Sequence, residues 1–219
     1  MKVSFEDIKS NEAVNTYIKR ADESLISLGF TEHSFAHVTR VAFVASDILL
    51  TLGYGERDAE LGKIAGYLHD IGNVINRIDH AQSGAVMAFR ILDKMGADPD
   101  DIATIITAIG NHDESTAFPV NPIAAALIIA DKTDVRDSRV RNKDITTFDI
   151  HDRVNYSVKK SEVNVVKGSH IELRLSIDVK ICQVGDYFEI FMERMLLCRK
   201  AAEKLEVEFR LIINGQRLL

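Results

Sequence analysis

Tryptophan is missing from this chain, and aromatic residues make up only 7% of it. A binding surface built from stacked rings is therefore not expected. Cysteine is almost as scarce: Cys182 and Cys198 are the only two, in the last quarter of the chain, at a spacing that fits neither a metal site nor a disulfide framework, so both read as reduced thiols. Basic residues are outnumbered, 27 Lys+Arg against 33 Asp+Glu, for a net charge of −6 before seven histidines are counted. That balance argues against a general nucleic-acid binder, which needs clustered positive charge. No apolar run approaches the length of a membrane span, and the N-terminal MKVSFEDIKSNEAVNTYIKR carries acids where a signal peptide needs an apolar core. A cytoplasmic protein without a membrane partner is expected. The 219 residues allow one large domain, or one domain with a small appendage.

Only three prolines occur, and up to about Arg141 the turn residues fall between segments of helical periodicity. Val14, Ile18, Ala21, Leu25 and Leu28 share a face of a first helix stopped by Gly29. A second covers 34–52, with Val38, Val41, Ala42, Ala45, Ile48 and Leu49 on one side and Gly53 closing it. A third covers 56–72 and a fourth 81–95. Asp98-Pro99-Asp100-Asp101 is a start signal, with Asp98 as N-cap and Pro99 in the first turn, for a helix to about His112. A sixth begins near Asn121. After about Lys159 the pattern changes: 171–181 alternates strictly between apolar and polar, as a strand does. Helical spacing returns over 185–204 and alternation over 207–213, with a further short strand suggested at 163–166. The fold class expected is mainly α: a helical domain over 1–158 and a small α+β appendage, strand, helix and strand, over 159–219. So small a unit is marginal alone. It is expected to dock on the helical domain or on a second subunit, as a lid or a homodimer element.

Three apolar runs end abruptly in a residue able to hold a metal. Ile64-Ala65-Gly66-Tyr67-Leu68 runs into His69-Asp70, Ile105-Ile106-Thr107-Ala108-Ile109 leads through Gly110-Asn111 to His112, and the eight residues 123–130 meet Asp131. A carboxylate beside so apolar a helix must be neutralised by a Lys or Arg or by a metal ion. Adjacent His69 and Asp70 can face one ion only where their helix ends, and Gly72 supplies an end.

These residues resemble the HD superfamily of metal-dependent phosphohydrolases over roughly 33–141. His37-Val38-Thr39-Arg40-Val41 looks like the family's first histidine, Gly66-Tyr67-Leu68-His69-Asp70-Ile71-Gly72 like its central motif and Ala130-Asp131 like its last aspartate. The resemblance implies an HD-type helical bundle in which His37, His69, Asp70 and Asp131 hold a metal. His80-Ala81-Gln82-Ser83-Gly84 and Asn111-His112-Asp113-Glu114 are similar to elements of HD subgroups with two metals. There Asp70 would bridge the ions, with His80 and His112 completing the second site, and Asp70 would be the catalytic residue orienting the nucleophile. Such a site, free of cysteine, suits Fe, Mn, Ni, Co or Zn. The implied activity is hydrolysis of a phosphoester or phosphoanhydride in a small phosphorylated substrate, a nucleotide being expected. The alternative is a non-catalytic HD-type nucleotide-binding or regulatory module.

Lys132, Arg136 and Arg139 share a stripe if the helix before them continues. They would then meet substrate phosphates, or else pair with Asp134 and Asp137 on a solvated face. Arg77 is a further substrate candidate. Asn73 stands where many HD members have a lysine, at a position expected to face substrate. His33 reads as a cap or surface residue, and His151 and His170 fit no element.

Overall fold

The computed structural model describes residues 2–219. A short helix, α1 (Phe5–Lys9), leads into a bundle of six: α2 (Glu12–Ser27), α3 (Phe35–Leu52), α4 (Glu56–Leu68), α5 (His80–Lys94), α6 (Pro99–Gly110) and α7 (Pro122–Lys132). The starts follow the local chemistry. Ser34, Asp98 and Asn121 each accept a hydrogen bond from the first turn of α3, α6 and α7 respectively, and prolines occupy the first turns of α6 and α7. Gly53, at φ 95°, closes α3 in the left-handed conformation that favours glycine.

At the centre lies α7, whose residues Ile123 through Ala130 are all buried. A helix apolar on every side has to be enclosed. It packs on α3, α4, α6 and, from the C-terminal region, α9 (Val184–Lys204). Ile128 and Ile129 are fully out of water, each burial contributing roughly 1.5–3 kcal/mol. The length and composition of α3 are those of a membrane span. It nevertheless carries Arg40 and Asp47, and buries His37, Val38, Val41, Ala42 and Ala45 against α4 and α7.

The C-terminal region begins with α8 (Ile150–Ser157) and continues as β1 (Val158–Val166), β2 (His170–Ile177), α9, β3 (Glu208–Ile213) and β4 (Gln216–Arg217). The sheet order is β1-β2-β3-β4. β1 and β2 are antiparallel, β2 and β3 parallel with α9 as the crossover, and β3 and β4 antiparallel. A mainly α bundle with a small α+β appendage is thus what the chain forms. One apolar cluster runs from Val3 to Ile213 through both parts.

Several boundaries differ from those read in the sequence. The third helix stops at Leu68 and gives way to a 3-10 turn, Ile71–Val74, instead of reaching Gly72. β2 ends at Ile177 because Asn214 takes both backbone groups of that residue, at 2.8 and 3.0 Å, and Asp178 turns the chain by accepting from Lys180 and Cys182. α1 and α8 are additional, and β1 is longer than the short strand expected at 163–166. α7 does not continue through Arg136 and Arg139. Thr133 donates to the Ile129 carbonyl at 2.6 Å and caps it, and Arg136 is extended, so the expected stripe of Lys132, Arg136 and Arg139 does not form.

Candidate metal centre

Four helix ends meet at one point. His37 stands in the first turn of α3 and His80 opens α5, while His112 follows α6 and Asp131 sits at the end of α7. Between α4 and the 3-10 turn the backbone leaves the helix just after His69, at Asp70, whose φ of −97° and ψ of 1° lie outside the helical range. That unwinding lets two consecutive side chains point the same way. Two glycines make the approach: a methyl group on Gly66 would stand 2.7 Å from the Cα of Ala42 in α3, and one on Gly72 would stand 2.0 Å from the His80 carbonyl.

The histidine tautomers follow from their partners. Nδ1 of His69 lies 2.8 Å from the Gly66 carbonyl, that of His80 3.0 Å from the Arg77 carbonyl, that of His112 2.6 Å from the Ile109 carbonyl, and that of His37 2.8 Å from Asp134 Oδ2. Carbonyl and carboxylate oxygens only accept, so each Nδ1 carries the proton and each Nε2 presents a lone pair. Those lone pairs converge. His37 and His69 Nε2 stand 3.6 and 3.2 Å from Asp70 Oδ2, and 3.4 and 3.7 Å from Asp131 Oδ1. His80 and His112 Nε2 stand 3.5 and 4.0 Å from the other oxygen, Asp70 Oδ1. One carboxylate therefore faces two sets of donors.

This arrangement fits divalent metal. His37 Nε2 and His69 Nε2 are buried without a hydrogen-bond partner, and His80 and His112 Nε2 oppose each other at 3.3 Å with a lone pair on each. A cation between such donors relieves the cost. His37, His69 and Asp70 form one group of converging donor atoms, and Asp70, His80 and His112 another. The charge balance agrees. Burial opposes ionisation of Asp70, yet His69 beside it holds its pKa well below the usual range, and for Asp131 Lys132 does the same. Burial also opposes charge on His69, but the Asp70 and Asp131 carboxylates lift its pKa: the site draws positive charge to itself. Burial pushes His112 down to about 3 and lowers His80, leaving both neutral, the form in which imidazole ligates a metal.

The surroundings of the six are polar and mostly committed. Asp134, fully buried, accepts from His37 and forms ion pairs with Arg40 at 3.0 Å, Arg136 at 2.8 Å and Arg139 at 3.8 Å; these charges and the His37 bond outweigh burial and depress its pKa. Asn73, expected to face substrate, is instead buried and donates to the backbone and Oδ1 of Asp70, both at 2.9 Å. Arg136, also expected at substrate, is held by Asp134 and Glu32 at 3.2 Å and is not part of the cavity wall. Lys132 is buried and reaches Asp131 Oδ2 at 2.6 Å and Glu114 at 3.5 Å, so a lysine answers the Asp131 charge at one oxygen, while the other faces the imidazoles of His37 and His69.

A cavity of about 320 Å³ opens onto Asp70, His80, His112 and Asp131. Lys132, Arg77 and Arg139 line it. So do residues that sequence reasoning had set aside: His33, whose Nδ1 donates to the Thr31 carbonyl at 2.7 Å and whose pKa burial holds well down, and His151 of α8. Phe191 and Arg194 of α9 and Asp152 and Asn155 of α8 complete the wall. A capping signal, Asp149 accepting from Asp152, marks α8 in the sequence. Nothing local marks α9 as part of a site.

Comparison with known proteins agrees with this geometry. Residues 34–139 match the HD domain family. A protein of Methanocaldococcus jannaschii, named as the uncharacterized protein MJ1020, is 26% identical over 210 residues, covering 84% of this chain and 81% of that one. A crystal structure of a predicted HD superfamily hydrolase from an uncultured Thermotogales bacterium is 26% identical, with a TM-score of 0.44 over 57% of this chain and 67% of its own. The histidines and aspartates converging at the ends of α3 to α7 all lie within residues 34–139, the segment that is similar to the HD domain family.

Proposed function

We propose that this chain is a metal-dependent phosphohydrolase that cleaves a phosphoester or phosphoanhydride in a small phosphorylated substrate, a nucleotide fitting the reading best. The observation that carries it is the pairing of two donor sets on the two oxygens of Asp70, with the Nε2 lone pairs of His37 and His69 lacking any hydrogen-bond partner among the described residues. His37, His69, Asp70 and Asp131 would hold one divalent ion, and Asp70, His80 and His112 a second. Such ions supply acidified water and compensation for the charge that develops in an in-line displacement at phosphorus. The remaining work falls to the chain. Asp70 reaches the cavity and is fixed there by Asn73, so it can accept a hydrogen bond from an attacking water and orient it. Lys132 occupies one oxygen of Asp131 and leaves the other aimed at His37 and His69. Phe30 and Phe191 narrow the cavity and exclude bulk water from the phosphoryl group.

Turnover of p-nitrophenyl phosphate, bis-p-nitrophenyl phosphate and a panel of nucleotides by the Mn(II)-loaded protein tests the proposal. Asp70→Asn is expected to lower any turnover by at least about a hundredfold, the scale of a lost acid-base group. Loaded protein inert toward the whole panel would turn the reading toward a non-catalytic binding module, and unchanged turnover in Asp70→Asn would remove Asp70 from the mechanism.

A further inference from the structure

The cations around the cavity are not equivalent. Lys132 is committed to Asp131 at 2.6 Å, and Arg194 to Glu114 at 2.7 Å. Arg77 has no carboxylate within ion-pair distance among the described residues. Its Nη1 reaches Asn73 Oδ1 at 3.3 Å and His80 Nε2 at 3.4 Å, and its guanidinium lies 5.4 Å from the centroid of the Phe30 ring, leaving Nε and Nη2 without hydrogen bonds. Arg139 is 5% exposed. It gives Nε to the Glu32 carbonyl at 3.0 Å and Nη1 to the Asp134 carbonyl at 2.7 Å, while Nη2 has no acceptor.

Both guanidiniums line the cavity onto which Asp70, His80, His112 and Asp131 open. Arg77 touches His80, at the end formed by His80 and His112. Arg139 is tied to Asp134, which grips His37 at the other end. The ring of His33, also on the cavity wall, lies 5.4 Å from that of His37. The free donor edges of Arg77 and Arg139 face the cavity, and the acceptors that match a guanidinium fork are the paired oxygens of phosphate or carboxylate.

We propose that Arg77 and Arg139 form an anion subsite beside the metal centre, and that the substrate carries a second anionic group, separate from the phosphoryl group under attack, which these two guanidiniums receive. The proposal rests on the phosphohydrolase reading of the centre and narrows it to substrates such as phosphoanhydrides or phosphate esters with a further phosphate or carboxylate. An ester with a single anionic group would leave both donor edges unmet.

Calorimetric titration of the Mn(II)-loaded protein with three non-hydrolysable probes tests it: methylphosphonate, methylenediphosphonate and phosphonoacetate. Arg77→Gln is expected to weaken methylenediphosphonate about tenfold or more, the worth of a charge-assisted hydrogen bond, with methylphosphonate binding and metal content unchanged. Arg139→Lys, which keeps the charge but loses the fork, is expected to show the same selectivity with a smaller loss. A parallel loss for phosphonoacetate supports the subsite and admits a carboxylate as the second group. Loss confined to the diphosphonate supports it and assigns a phosphoryl group. Equal weakening of the mono- and diphosphonate in Arg77→Gln, or none, overturns the subsite while leaving the phosphohydrolase reading in place. Protein that binds neither Mn(II) nor methylphosphonate overturns both.

Discussion

At the scale of single residues, the site depends on which nitrogen of each imidazole holds the proton. Three of the four candidate histidine ligands are set by backbone carbonyls three residues earlier in sequence, His69 by Gly66, His80 by Arg77 and His112 by Ile109. The fourth, His37, relies on Asp134, 97 positions away and wholly buried among three arginines. Replacing Asp134 by Asn removes the charge that polarises His37 and leaves Arg40, Arg136 and Arg139 short of a counter-ion. Affinity for the first ion is expected to fall about 10- to 100-fold, as for other partners of metal-bound histidines. Competition against a chelator, followed by the visible spectrum of Co(II), measures this; unaltered affinity would show that His37 needs no such support. The six candidate ligands were legible in the sequence because each ends an apolar run or sits in a recognisable motif. Asp134 was legible as a partner of Arg136 and Arg139, which it is, but not as the partner of His37, and Glu114 was not legible as the partner of Lys132 and Arg194, since those partners are distant along the chain. Asn73 was legible as an unusual residue, and misplaced, because its amide turns inward to Asp70 rather than outward to substrate.

At the scale of elements, the helix ends position the chemistry, and glycines set how closely those ends approach. Gly72 lies against the start of α5, where an added methyl group would meet the His80 carbonyl, the Gly84 nitrogen at 2.5 Å and the Ser83 hydroxyl at 2.6 Å. Two of those atoms are backbone and cannot swing aside. Gly72→Ala is therefore expected to cost a few kcal/mol, toward or beyond the upper end of overpacking effects. The accommodating shift of α5 carries His80 with it, so the ion held by His80 and His112 is expected to be lost before the one at His37 and His69. Denaturant unfolding with metal content on the same samples tests this, and unchanged stability with full metal content would contradict it. Helix starts were legible from Ser34, Asp98 and Asn121. The end of α7 was not: the run of Lys132, Arg136 and Arg139 keeps helical spacing, and the Thr133 hydroxyl that stops it competes for a backbone carbonyl in a way that periodicity does not register.

At the scale of the whole molecule, the segment similar to HD domains supplies the donors, while the flanking parts supply much of the cavity wall. Phe30, Thr31 and His33 enter from before or at the edge of the segment, and Asp152, Phe191 and Arg194 from after it. The apolar face of α9 that the sequence displayed as Phe188, Phe191, Met192, Met195 and Leu196 serves in large part to dock on α7: Phe191 and Met195 are buried there. Its docking brings Arg194 onto Glu114 and joins the C-terminal region to the chain of charges that ends at Asp131. Strand and helix were legible from their periods. Which residues of α9 wall the cavity was not, because a docking partner leaves no mark on the periodicity of the helix it receives.

The account turns on one claim, that the converging imidazoles and carboxylates bind transition-metal ions. Metal content by mass spectrometry, on protein purified without chelator and again after stripping and reloading with Mn, Fe, Co, Ni or Zn, tests it most directly. The expected result is tightly held metal in the wild-type chain, strongly reduced in a variant with both His37 and His69 replaced by Ala. A folded wild-type protein that carries no metal and takes up none of the five would contradict it.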